Sequence, residues 1–120
     1  MLEFERNLET FQAFGKTVHL TELGIASSSE EVPGNEWWGG GPGGGRRVWH
    51  GEQFTETSQA DWFEQLYTIG YSKPWVHAIT TWDFCDPAFV AHGGLLDQDG
   101  RPKESYHRLA ALLAGWQKNA

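Results

Sequence analysis

Thr17-Val18-His19-Leu20-Thr21-Glu22-Leu23 decides how the rest of the chain is read. Val18, Leu20 and Leu23 make it a short apolar run, which reads as a buried strand. A carboxylate, Glu22, stands at its end. Upstream, Phe4, Leu8 and Phe11 recur at helical spacing, with Leu2 and Phe14 extending the set. Residues 2–14 therefore read as a helix that Gly15 closes. Downstream, residues 24–56 read as one long loop, with Ser27-Ser28-Ser29, Pro33-Gly34-Asn35 and a glycine tract over 39–45 broken by Pro42. So long a stretch without structure of its own is usually functional or disordered.

Residues 58–71 read as a second helix, with Ala60, Phe63, Leu66, Tyr67 and Gly70 along one side and Thr57 or Ser58 as its cap. Lys73-Pro74 ends it. Residues 76–82 are a second strand, 83–102 a loop, and 103–116 a third helix carrying Tyr106, Leu109, Leu113 and Trp116. Strands alternating with helices imply an α/β fold with parallel strands joined by right-handed crossovers. Two parallel strands alone make a poor sheet, because each has an unpaired edge and needs cover on both faces. The spacing predicts a unit of a larger sheet, within a single domain spanning 1–120.

Composition excludes several classes of function. The chain has 120 residues and a formal net charge of −7, with a pI near 5.1. Nucleic-acid binding needs clustered Lys and Arg, and the one local basic pair is Arg46-Arg47. No apolar run is long enough to span a membrane, and residues 1–6 do not resemble a secretory signal. His19, His50, His77, His92 and His107 lack metal-ligand spacing, so neither a metal nor a cofactor is expected. The glycine tract lacks the Gly-x-x-x-x-Gly-Lys-Ser/Thr pattern, which rejects phosphate binding. Cys85, the single cysteine, reads as a small residue filling a packed position. Seven Trp and seven Phe are far above ordinary usage. Trp suits stacking on sugar rings as well as core packing, and composition does not choose between them.

Three places carry candidate chemistry. Glu22 ends a predicted parallel strand, the end that holds catalytic groups in barrel enzymes; a strand-end Glu simply facing water is an equal reading. Trp82 also ends a strand, where it can wall a sugar ring while Asp83 or Asp86 takes hydroxyls. A core Trp followed by an Asp86-Pro87 turn is the plainer alternative. The long loop carries Trp37-Trp38 and Trp49-His50. These aromatic residues pack on something, either protein or sugar.

Five segments in order give the chain a resemblance. They are residues 16–23 (Lys16-Thr17-Val18-His19-Leu20-Thr21-Glu22-Leu23), Gln59-Ala60-Asp61-Trp62, residues 78–86 (Ala78-Ile79-Thr80-Thr81-Trp82-Asp83-Phe84-Cys85-Asp86), Gly94-Leu95-Leu96-Asp97 and Pro102-Lys103-Glu104-Ser105-Tyr106. Together the chain resembles the C-terminal part of glycoside hydrolase family 10, retaining endo-β-1,4-xylanases on a (β/α)8 TIM barrel. The resemblance implies a partial barrel: sixth helix, seventh strand, seventh helix, eighth strand and eighth helix. Residues 24–56 then become a Gly/Trp-rich insertion. It implies Glu22 as the nucleophile, Trp82 lining the subsite beside the cleaved bond, and Asp86 in the substrate site. The acid/base Glu would lie on the fourth strand, upstream, so the isolated chain is expected to be inactive and its missing partner is the N-terminal part of the barrel. Trp49 and His50 are expected nearest the cleft, since their loop leaves the strand end bearing Glu22. The substrate implied is a polysaccharide or oligosaccharide such as xylan. Two departures stand out: Gly24 where the family usually has Asp, and Phe89-Val90 where it has Ser-Trp. They keep open a non-catalytic sugar-binding homologue or an inactive structural fragment.

Overall fold

The computed structural model describes residues 1–34 and 48–119. The elements run α1 (Leu2–Gln12), β1 (Val18–Leu23), β2 (Val48–Trp49), β3 (Glu52–Gln53), α2 (Glu56–Tyr71), β4 (Val76–Thr81) and α3 (Glu104–Lys118). β1 and β4 are parallel neighbours, so β1, α2 and β4 form the expected strand–helix–strand unit. Gly70 lets α2 lie close to this sheet. A methyl group there would come within 2.6 Å of Ile79 Cδ1 and 3.2 Å of Leu20 Cδ1.

The core sits between α2, α3 and the loops that follow the two strands. Phe63 and Leu66 are fully buried and pack with Ile25, Tyr67, Leu95 and Leu109. Each large side chain of this kind contributes about 1.5–3 kcal/mol by leaving water. Across the outer seam of α2 and α3, Arg108 pairs with Glu64, with Asp61 at 2.6 Å and with Glu104 at 3.3 Å. Hydrogen bonds to Glu64 and Asp61 raise the guanidinium pKa above its already high value. At the other end of α2, Lys73 reaches Glu5 at 2.6 Å and Glu9 at 3.0 Å, tying α1 to the unit.

Several boundaries differ from the sequence reading. α2 begins at Glu56, because Thr55 is its cap. Thr55 Oγ1 accepts from Ser58 N–H at 3.0 Å, and Ser58 Oγ accepts from Thr55 N–H at 2.8 Å. Ser58 thus belongs to the cap as its third helical residue. α1 ends at Gln12, and Gly15 turns the chain at φ 60. Of its apolar stripe Leu8 is buried, whereas Leu2, Phe11 and Phe14 are exposed. Helical spacing identifies residues that share a face, not whether anything covers that face. The loop over 24–56 is not wholly irregular. β2 and β3 pair antiparallel around His50-Gly51, whose φ values of 55 and 83 suit a two-residue hairpin turn. Strands of two residues leave no periodicity to detect. Trp37, Trp38 and the glycine tract lie outside the described residues.

Candidate active site at the strand ends

β1 departs from regular pairing at the position that matters. The register against β4 shifts once between Val18 and His19 and again between Leu20 and Leu23, which pairs with Thr81. Within that irregularity Glu22 takes φ 59. A left-handed backbone is costly for a residue with a side chain, about 1–2 kcal/mol, and persists where its surroundings over-determine it. The consequence is visible in burial: strict alternation would hide one of Thr21 and Glu22, and both are exposed. Neighbouring structure holds this end together, since Trp82 N–H donates to Leu23 O at 2.9 Å. Glu22 therefore precedes, and Trp82 follows, the same rung of the sheet.

Trp82 is 46% exposed, with one edge against Phe89 at 5.8 Å between ring centroids. Trp82 is thus not a core position here, and both it and Glu22 are exposed at the strand ends. Asp83 does not share that opening. Its carboxylate accepts from Phe89 N–H at 3.0 Å and Val90 N–H at 2.9 Å, folding the loop that carries Phe89.

Asp86, expected in the substrate site, has both its oxygens bonded to the protein. Oδ2 accepts from Lys103 Nζ at 2.6 Å and Oδ1 from Gly94 N–H at 2.9 Å. Side-chain exposure is 13% for Asp86 and 5% for Lys103. The Asp86–Pro87 bond is cis. Cys85 is a correction: the small packed residue is in fact exposed, its thiol 3.3 Å from Asp97 O. The segment there is irregular, so no strand alternation buries it.

His50 sits exposed at the hairpin turn, and Trp49 contributes backbone to β2. The hairpin is tied back where Phe54 N–H donates to Ser29 Oγ at 2.7 Å. Glu22 and Trp82 are the expected site residues that the sheet brings together. Among the described residues no group of three or more His, Cys, Asp or Glu is placed to hold a metal ion.

Three residues with no role in the sequence reading are buried behind this site: Gln59, Lys103 and Ser105. A signal for the first was present. Gln59 falls on the same helical stripe as Phe63, Leu66 and Gly70, a polar residue where apolar ones are buried.

The model of glycosyl hydrolase family 10 matches residues 1–112. The chain belongs to that family. Comparison with curated proteins gives no match. Solved structures agree on the fold. Xylanase 10B from Thermotoga maritima is 22% identical with a TM-score of 0.66, over 98% of this chain and 33% of that one. A β-glucuronidase from Bifidobacterium dentium, solved with coumarin-3-O-glucuronide, is 24% identical with a TM-score of 0.65, over 94% and 17%. A second, from Faecalibacterium prausnitzii, is 20% identical with a TM-score of 0.66, over 95% and 18%. The chain thus spans about a third of the xylanase and under a fifth of each glucuronidase. Its parallel strand–helix–strand unit shares the α/β fold of those structures, and Glu22 and Trp82 stand at the carboxyl ends of its two parallel strands.

Proposed function

We propose that this chain supplies the nucleophile, Glu22, of a retaining glycoside hydrolase acting on a β-1,4-linked polysaccharide such as xylan. One observation carries the reading: in a family 10 chain, an exposed carboxylate is held at φ 59 on a parallel strand's carboxyl end, one rung from an exposed Trp. In such a reaction a Glu22 oxygen bonds to the anomeric carbon as the glycosidic C–O bond breaks. A second carboxyl protonates the departing oxygen, then takes a proton from the water that releases the sugar. The two carboxyl groups stand about 5–5.5 Å apart in retaining enzymes. Asp83 and Asp86 are bonded into the loop, so neither supports the role of acid.

The acid/base is therefore proposed to come from sequence upstream, on strands that complete the barrel. Open edges of the sheet support this. Beside β1 lies an apolar cavity lined by Phe4, Leu8, Phe11, Val18, Leu20 and Leu23. Beside β4 lies another, of about 500 Å³, lined by Tyr67, Tyr71, Val76, Ile79, Leu113 and Trp116. In this reading the described elements are the sixth helix through the eighth, Trp82 lines the subsite at the cleaved bond, and Trp49 and His50 approach the sugar from the hairpin.

A mechanism-based fluoro-sugar tests the assignment. The full-length protein should be labelled on Glu22, as read by peptide mapping, and a label elsewhere removes the assignment. The isolated chain should not turn over xylan or an aryl xyloside; turnover abolished by Glu22→Gln would show a second acid within these residues. A sugar-binding barrel without catalysis is the rival reading, favoured by Gly24, where the family's usual Asp is missing. It predicts xylan binding with no label at all.

A further inference from the structure

Behind the strand ends, four separate parts of the chain meet in one buried polar cluster. Lys103, the N-cap of α3, sends Nζ to Asp86 Oδ2 at 2.6 Å, to Ser27 Oγ at 3.0 Å and to His92 O at 3.3 Å. Ser27 donates to the same His92 carbonyl from both N and Oγ, each at 3.0 Å. From α2, Gln59 Nε2 donates to Ile25 O at 3.0 Å and lies 3.3 Å from Gly94 O. Its Oε1 accepts from Ser105 Oγ at 2.7 Å. Gln59 and Ser105 are completely buried, and Lys103 is 5% exposed.

The cluster has an identifiable physical task. Residues 25–27 after β1 and the buried stretch around 91–95 in the loop after β4 are irregular, so their carbonyls have no extended ladder to join and need donors. An ammonium and a primary amide carry several donors each and meet that need at Ile25, His92 and Gly94. A buried ion pair is a poor way to gain stability, because desolvation offsets much of the attraction. What it provides is direction. Each bond fixes one segment against another, and the two segments are those that leave Glu22 and Trp82. Ser27 lies five residues beyond Glu22, with Leu23 O bonded to Trp82 N–H between them.

We propose that the buried Lys103–Asp86 pair, with Ser27, Gln59 and Ser105, is a positioning device that holds Glu22 in its left-handed conformation and keeps the Trp82 loop against it. Their printed bonds run to one another and to the two segments, so they act through the segments they join. The proposal rests on Glu22 being the nucleophile, but its structural half stands apart from that reading.

The experiment uses the full-length protein with Lys103→Met and Asp86→Asn, and with Arg108→Gln as a control that weakens the α2–α3 seam away from the site. Below the melting range, the two knot variants should lower kcat on an aryl xyloside by roughly 10–100-fold, as misplacement of a reacting group does. KM should change by less than about threefold, because sugar-contacting side chains are untouched. The rate should fall per nucleophile labelled by fluoro-sugar, so unfolded protein does not count. Amide exchange at Ser27 and Trp82 should rise together in both variants, and in Arg108→Gln should not. If Lys103→Met fails to fold, Ser27→Ala removes one of its acceptors with little change in volume and should show the same coupled exchange. Unchanged kcat per labelled site, or exchange that rises at one segment without the other, overturns the proposal. A label away from Glu22 with coupled exchange intact would instead sink the nucleophile assignment and leave the joint between the loops standing.

Discussion

Replacing Gly94 with Ala should be among the most damaging single-methyl changes in the described chain. A methyl group there would stand 2.6 Å from Asp86 N, 2.7 Å from Cys85 C and 2.8 Å from Leu96 O. All three are backbone atoms, so no side chain can swing aside. The segment is also stitched in place. Asp86 N–H donates to Leu96 O at 3.1 Å, and Leu95 and Leu96 both donate to Phe84 O at 2.9 Å. Making room means moving a backbone by more than half an ångström and losing one or two of these bonds, at about 1 kcal/mol each. Overpacking of a rigid site costs about 1–3 kcal/mol by itself. The sum is near 3 kcal/mol, a fall in Tm of roughly 5–10 °C in the full-length protein. Gly24→Ala is the matched control. Its methyl would meet Val90 Cγ2 at 3.5 Å, ordinary contact, and its stability should stay within about 0.5 kcal/mol of the parent. The assay is paired thermal and denaturant unfolding of both variants. Equal stability of the two would refute the claim that residues 84–86 and 94–96 are packed backbone to backbone.

Trp82→Ala should separate binding from stability. The ring is 46% exposed and meets Phe89 at a tilted angle, so unfolding should shift by less than about 1.5 kcal/mol, while on the proposed function KM for xylan oligosaccharides rises roughly tenfold; a large loss of stability with unchanged KM would make Trp82 a packing residue. Asp97 has its pKa held below the usual carboxylate range, chiefly by the Arg101 backbone N–H on its carboxylate and also by the Arg101 guanidinium. Its contribution to the turn over 97–101 is therefore present above about pH 4 and lost as pH falls through the lowered folded-state value. Amide exchange at Asp99 and Arg101 should accelerate over that acid window in the parent, and Asp97→Asn should exchange fast at all pH values.

Much of this architecture is legible in the residues themselves. Val18, Leu20 and Leu23, then Val76, Ala78 and Ile79, mark two strands to within one residue, because short apolar runs between polar ends have few other uses. Cap positions were less legible: Thr55, Thr57 and Ser58 all offer a hydroxyl, and the geometry of the turn chooses Thr55. Glu22 could be read as a strand-end carboxylate, yet nothing in its neighbours announces the reversal of φ that exposes it. Asp86 shows what sequence order leaves out. Four residues beyond Trp82, it stands close to the site along the chain, but its carboxylate points to Lys103, a contact between positions 17 apart. Such pairings depend on how two loops fold over a helix, and local spacing does not encode that.

The distribution of burial separates the site's foundations from the sheet's. The largest fully buried side chains, Phe63, Leu66, Gln59 and Ser105, belong to α2 and α3, and the buried residues Ile25, Ala26, Ala91 and Leu95 lie in the loops that follow the strands. No residue of β1 or β4 is buried to that degree, although parallel strands are ordinarily the most enclosed part of such a fold. The helices and loops that shape the face bearing Glu22 and Trp82 thus have their partners within the described residues, whereas the strands still have bare edges and apolar cavities beside them. Adding neighbouring strands would bury Leu20, Leu23 and Ile79 without disturbing the polar cluster that joins the loops. The geometry at the carboxyl ends is consequently set by contacts between α2, α3 and the two loops. Neighbouring strands would govern a different quantity, the stability of the wall from which that geometry projects.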